Sequence, residues 1–413
     1  MRNISKDKSK KNKYNTNFKN KQYSKKKRNY KTHNIQKGGD KLGAGSYGCV
    51  VTPPIPCNNQ KMTKRFISKL IKIGNESDKS EINNEIRISK ILQKLDKRGI
   101  YFGTILQDCD LRKIQREDLS YLSKDKKSRS KCYIDLKKKY INLIQKNVGK
   151  NFEDILEGKE YNIKKLINLK FRFIVKHLLE GLRKIHSSEI AYLDIKPDNM
   201  GIRLQNKKLY VSYIDFGVSY VYLGNIPTKF GTDIFQFIGT PGYINPEMYV
   251  IYLICNRIEK TESISDLFNP KVRNSIVSSA YKHVNNDSNT YLMTELKLNR
   301  KRLRMTEDDT HFLDKLKGKE QPVIDINDIL QLYIKIATMI KANVFVKEYH
   351  QKYNGIVYKG DIYSLGISFC QMMVNVEYEN EELLDLIRNM INPNPFQRYN
   401  INQCLNHPYV INN

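Results

Sequence analysis

Apolar and polar positions follow two periods along this chain, one of about two residues and one of three to four, and the change from one to the other marks out its elements. Val50-Val51-Thr52 reads as strand until Pro53-Pro54 breaks it, and Arg65 to Lys72 reads as a further strand. Ile82, Ile86, Ile91, Leu92 and Leu95 then recur at helical spacing. A strand is predicted over 102–111, a charged, turn-rich loop over 112–131, and another strand over 140–147. Phe152-Glu153-Asp154-Ile155-Leu156 opens the second half, where Phe173, Ile174, Leu178, Leu182 and Ile185 predict a buried helix over 171–186. His177 and His186 on or beside that helix read as packed or exposed helix residues rather than metal ligands.

Residues 1–38 have neither period. Fourteen Lys/Arg face the single Asp7 there, so this stretch carries +13 of a net charge of +29 and cannot bury enough surface to order itself. A disordered basic tail is expected, with affinity for an acidic partner. Specific nucleic-acid recognition is not expected, because Lys outnumbers Arg by 54 to 18 and Arg is the residue that base and phosphate readout favours. The remainder of the 413 residues is enough for one large or two moderate domains. Seven cysteines without a C-x-x-C pair read as reduced, intracellular usage, and no clustered His or Cys spacing suggests structural metal. The longest apolar stretch, Tyr249 to Cys255, is too short to span a bilayer, so a soluble intracellular protein is expected.

The chemistry lies in three short runs. Gly43-Ala44-Gly45-Ser46-Tyr47-Gly48 is followed by strand rather than helix, which fits a strand-turn-strand flap over phosphates and not a dinucleotide fold. Tyr192-Leu193-Asp194-Ile195-Lys196-Pro197-Asp198-Asn199 places a carboxylate, a lysine and an amide within six residues, and Asp215-Phe216-Gly217 follows. Moving an ATP γ-phosphate to a hydroxyl needs these groups: a carboxylate for the hydroxyl, a cation for the phosphate, and oxygen ligands for Mg²⁺. With these runs in this order the chain resembles the eukaryotic-type protein kinase superfamily, over about residues 40 to 413.

The resemblance implies an α+β, two-lobed protein-kinase-like fold, with a small β-rich N-lobe at 39–147 and a mainly helical C-lobe at 148–413. It implies ATP and Mg²⁺ as cofactors and a protein substrate. Asp194, Lys196 and Thr240 would be catalytic, and Asn199 and Asp215 would bind metal. Leu42, Gly43, Ala44, Gly45, Ser46, Tyr47, Gly48 and Val50 would cover the nucleotide, with Ile67 roofing the adenine and Ile144 at the gate of its pocket. Backbone groups from Gln145 to Asn147 would meet the adenine edge. Lys69 fits the phosphate-binding lysine better than Lys72, and Glu85 fits its carboxylate partner better than Glu81, although Ser89 stands where the family has an apolar residue. Lys196, two residues after Asp194, and Thr240 in Gly239-Thr240-Pro241-Gly242-Tyr243 resemble serine/threonine kinases; a pseudokinase or a small-molecule kinase is the rival reading.

Three departures from the family pattern stand out. Tyr192-Leu193-Asp194 replaces H-R-D; Tyr192 can still pack beneath Phe216, but Leu193 cannot pair with a phosphate on the activation segment. Glu247 is expected to pair with Arg398 in the large lobe. Asp361 is expected at the start of the central helix, holding the backbone of the 192–199 loop, after an insertion over 248–360. The insertion includes the basic run Asn299 to Arg304, read as a solvated cluster or a docking surface. The composition, the wording of the glycine run and the insertion are most similar to serine/threonine kinases of large nucleocytoplasmic DNA viruses.

Overall fold

The computed structural model describes residues 40–45, 48–57, 62–111, 134–135, 137–158, 161–205, 208–221, 239–240, 243–245, 269, 271, 275, 347–392 and 394–412. The basic tail, Ser46, Tyr47, the 112–131 loop, Glu247 and the basic run at 299–304 lie outside them.

Five strands open the described chain: β1 (Asp40–Gly45), β2 (Gly48–Thr52), β3 (Phe66–Ile73), β4 (Ile105–Asp110) and β5 (Lys139–Lys146). They form one antiparallel sheet in the order β1-β2-β3-β5-β4. Between β3 and β4 runs α1 (Glu76–Leu95). Its start is set by a capping box: the Asn75 side chain accepts the Asp78 N–H, and Asp78 accepts the Asn75 N–H. Glu76 and Asp78 also place negative charge at the positive end of the helix dipole.

Because side chains alternate across a strand, register decides which residues share a face. Ile67, Lys69 and Ile71 of β3 stand opposite Gln145, Leu143 and Ile141 of β5. On this face Ile71, Leu143 and Ile105 pack with Ile82 of α1. Ser68 and Leu70 face the other way, opposite Ile144 and Asn142. The expectation for Ile144 is therefore corrected. It is buried on the face away from Lys69, and Leu143 stands beside that lysine instead, because side chains alternate along β5 and the pairing sets Leu143 opposite Lys69.

The far face is also covered. Ile55 packs there with Val51, Leu70, Leu111, Ile134 and Tyr140. Two fully buried polar side chains fix the covering segment: Ser68 Oγ accepts the Ile55 N–H at 2.8 Å, and Asn142 Nδ2 donates to the Ile55 carbonyl at 2.9 Å. A Cys57–Cys109 disulfide closes the layer, its Cα atoms 5.7 Å apart. Cys49 is disulfide-bonded as well. This corrects the reading of reduced cysteines: the partners are 52 residues apart in sequence, and only the sheet topology brings them together. Cys370 and Cys404 remain free thiols, and burial pushes both up to about 12.

The second half holds β6 (Lys150–Asn151), α2 (Phe152–Glu157), α3 (Tyr161–Leu169), α4 (Phe171–His186), β7 (Ile190–Ala191), β8 (Met200–Gln205), β9 (Lys208–Tyr213) and β10 (Tyr220–Val221). After them come α5 (Lys347–Asn375), α6 (Glu381–Met390), α7 (Ile401–Leu405) and α8 (Pro408–Ile411). A sheet-rich first half and a mainly helical second half make a two-lobed α+β molecule. Ile174, Val175, Leu178, Leu179, Leu182 and Ile185 of α4 are fully buried, and each such side chain contributes about 1.5–3 kcal/mol. Phe173 was expected on that stripe but is 47% exposed. It sits about 100° round the helix from Ile174, where it stacks on His177.

The central helix α5 starts at Lys347, so Asp361 is mid-helix and not at its start. No proline interrupts the span, and Gly360 does not end it. That glycine serves packing: a Cβ there would collide with the Asn245 side-chain amide.

Candidate active site

The register of β3 aims Lys69 at α1 and at the segment after β9. Lys69 Nζ lies 3.3 Å from Glu85 Oε2 and 3.0 Å from Asp215 Oδ1. Burial works against its charge, but the Glu85 and Asp215 carboxylates outweigh this and hold the ammonium well above the ordinary lysine range. Lys72 is exposed, out of phase with Lys69 on the strand and opposite Tyr140. Glu81, one turn before Glu85, is not in the ion pair. Burial first, then the nearby Asp215 carboxylate, raises its carboxyl above the usual range. Its Oε1 would be 2.8 Å from a Cβ at Gly217, so Gly217 gives it room.

Ser89, the polar residue in an apolar place, is buried and satisfied: its Oγ accepts the Ile105 N–H at 3.2 Å. It ties α1 to β4. The aromatic column beside it is intact, with Phe216 edge-on to Phe102 at 6.1 Å and to Tyr192 at 5.2 Å. Tyr192 also donates its hydroxyl to the Ile214 carbonyl.

The 192–199 loop hangs from α5 and α4. Asp361 Oδ1 accepts the Leu193 N–H and its Oδ2 accepts the Tyr192 N–H, both at 2.8 Å, while His186 Nε2 lies 3.0 Å from Oδ2. A buried carboxylate with three such partners is a rigid anchor. Leu193 takes φ 69° and Asp215 φ 64°, the left-handed region that non-glycine residues rarely adopt. At both positions the backbone turns to aim an aspartate, Asp194 or Asp215, inward.

The loop residues converge. Thr240 Oγ1 donates to Asp194 Oδ1 at 2.6 Å, Lys196 Nζ lies 2.9 Å from Asp194 Oδ2, and Lys196 Nζ donates to Thr240 Oγ1 at 2.5 Å. Asn199 Nδ2 donates to the Asp194 carbonyl at 2.9 Å and to its Oδ2 at 2.8 Å. That amide is spent, which leaves Asn199 Oδ1 without a hydrogen bond among the described residues. Asp215 likewise uses Oδ1 on Lys69 and keeps Oδ2. Two such hard oxygens suit a hard divalent cation.

Leu42, Gly43, Ala44 and Gly45 fall in β1, and Gly48 and Val50 in β2; Val50 pairs with Lys69 and so shares its face. Gln145 stands opposite Ile67 on that face, buried, with no hydrogen-bond partner for Oε1 among the described residues. Asn147 departs from expectation. Its N–H donates to the Arg65 carbonyl at 2.8 Å and its Nδ2 to the Lys64 carbonyl at 3.1 Å, so its donors serve the junction with β3. Arg398, whose expected partner Glu247 lies outside the described residues, is buried; it donates to the Asn392 carbonyl at 2.8 Å and the Lys359 carbonyl at 2.9 Å and lies over the Tyr363 ring.

One residue in contact with this arrangement escaped the sequence reading. Asn84 donates from α1 to the carbonyls of Gly217 and Ser219. Its place immediately before Glu85 was the only available signal.

Known proteins are similar to this chain in sequence. The family model of the protein kinase domain matches residues 37–268, more than half of the chain. Calcium/calmodulin-dependent protein kinase type II subunit delta of Oryctolagus cuniculus is 30% identical over 100 residues, 24% of this chain and 17% of that protein. Myosin light chain kinase family member 4 of Homo sapiens is 26% identical over 207 residues, 50% of this chain and 42% of that protein. The matches thus span less than half the length of these relatives. A lysine held between two carboxylates, a loop anchored by a buried aspartate and a family match running through both have one common account: the chain belongs to the protein kinase domain family.

Proposed function

We propose that the chain is a serine/threonine protein kinase, transferring the γ-phosphate of ATP to a hydroxyl of a protein substrate. The observation that carries this reading is the closed ring of Asp194, Lys196 and Thr240. Asp194 takes the proton of the substrate hydroxyl, its carboxylate oriented by Asn199 and Thr240. Lys196, beside it, balances the charge of the phosphoryl group in transit. Lys69, fixed by Glu85, would hold the other phosphates, and the glycine run between β1 and β2 would cover them. Val50, Ile67 and Leu143 line the adenine side, with the Gln145 side chain on the same face. Asn199 Oδ1 and Asp215 Oδ2 would hold Mg²⁺, which would neutralise phosphate charge when bound. The Thr240 hydroxyl, bridging Asp194 and Lys196, supports serine/threonine over tyrosine transfer. The proposal extends to an acidic partner for the basic tail, a soluble protein and likeness to viral kinases; among the described residues no helix is long and apolar enough to cross a membrane.

The test is incubation of the purified full chain with Mg²⁺, labelled ATP and an array of serine, threonine and tyrosine peptides. Label on serine or threonine peptides that disappears in Asp194→Asn is the expected result. Label on tyrosine peptides alone, or none on any, would overturn the reading.

A further inference from the structure

We propose that Asn84 is a positioning residue that holds α1 against the start of the activation segment, so that Glu85 stays on Lys69 without a phosphorylated segment. This rests on the kinase reading above. The Asn84 Nδ2 donates to the Gly217 carbonyl at 3.1 Å and the Ser219 carbonyl at 2.7 Å, so one amide uses both hydrogens on one turn. That turn is itself fixed. The Ser219 N–H donates to the Phe216 carbonyl at 3.2 Å, and Ser219 Oγ donates to the Tyr192 carbonyl at 3.0 Å. Immediately beyond, β10 pairs with β7. A continuous set of hydrogen bonds thus joins α1 to the loop that carries Asp194.

The local charges explain why such a clamp is needed. Glu85 and Asp215 pair with the buried Lys69 ammonium, and Glu81, a third carboxylate, lines the same cavity, with Lys72 exposed at its edge. Asp78, also on this side of α1, is engaged in the capping box. Glu81 and Asp215 carry like charge, so their repulsion opposes the close approach of α1 that the pull of Lys69 favours. In a kinase that relies on segment phosphorylation, a new ion pair between phosphate and arginine supplies the opposing pull. Here Leu193 occupies the arginine's place, and Glu81 offers a like charge on the α1 side. The neutral amide of Asn84 bonds two carbonyls whatever the phosphorylation state.

The experiment uses phosphatase-treated full chain, comparing wild type, Asn84→Ala, Glu81→Gln and the double variant. Two readouts are taken: peptide phosphorylation at varied ATP, and hydrogen exchange of residues 76–95. Asn84→Ala is expected to lower kcat/KM for ATP about tenfold, the population shift that follows from losing two hydrogen bonds, with KM for peptide unchanged and α1 exchanging faster. Adding Glu81→Gln, which removes the repulsion the clamp opposes, is expected to restore most of the loss. Unchanged exchange and unchanged kcat/KM in Asn84→Ala would overturn the proposal, as would a loss that Glu81→Gln leaves in place. If even wild type transfers no phosphate, the kinase reading fails, and hydrogen exchange alone then decides whether Asn84 holds α1.

Discussion

Lys69 and Lys72 are three residues apart on one strand, and that odd spacing separates a phosphate ligand from a surface charge. Lys69 faces the sheet's α1 side, within 3.4 Å of two carboxylates, while Lys72 is exposed. Lys69→Met should therefore lower turnover by two orders of magnitude or more, about the scale of losing a preorganised charge contact. Lys72→Met should stay within about twofold. Steady-state phosphorylation of a peptide by both variants checks this, and the opposite order would move the role to Lys72. Leu193 gives a second prediction at this scale. Its N–H is held by Asp361 and its backbone is left-handed, so the position still shapes the loop, but its side chain can receive no phosphate. Phosphatase-treated enzyme should keep most of its activity, and alanine at Thr228 and Thr232 together should cost little. Activity that vanishes on dephosphorylation and returns with one of these threonines rephosphorylated would contradict it.

Among the elements, α1 and the 192–199 loop were legible in the sequence because their signals are local. Isoleucines at helical spacing marked α1, and a motif of eight residues marked the loop. The covering layer on the far face of the sheet was not legible. It depends on Ser68 and Asn142, polar residues within strands that read as ordinary until their partners on the 53–57 segment are known. The cysteine pairing was hidden for the same reason, since Cys57 and Cys109 meet only through strand order. The Ile144 expectation failed on a register that sequence spacing alone does not set, and the Asn147 one on a backbone bond to Arg65 just past the strand. The layer leads to a stability prediction. A crosslink closing a loop of 52 residues restricts the unfolded chain and contributes about 2–4 kcal/mol. Cys57→Ser should lower the midpoint of thermal unfolding without reductant, and dithiothreitol should lower the wild type toward the variant. A midpoint indifferent to both would mean that hydrogen bonds and apolar packing hold the layer unaided.

At the scale of the whole molecule, charge is distributed very differently from chemistry. The first 37 residues carry +13 of the total +29 and none of the groups that converge on Asp194. The remaining 376 residues carry +16 and every residue assigned to phosphoryl transfer. Binding to an anionic surface and transfer of phosphate should therefore separate in a truncation. A chain lacking residues 1–37 should phosphorylate a peptide at the wild-type rate, because the ring of Asp194, Lys196 and Thr240 and the Lys69 ion pair all lie beyond the cut. Its retention on heparin or anionic vesicles should fall, and the difference from full length should be steepest at low salt, where fewer counterions screen the fourteen cations. Elution salt and peptide turnover, measured on the same two proteins, test both halves at once. A truncated chain that binds heparin as before would move the anionic contact to the folded part, and one that loses turnover would give the tail a part in the reaction.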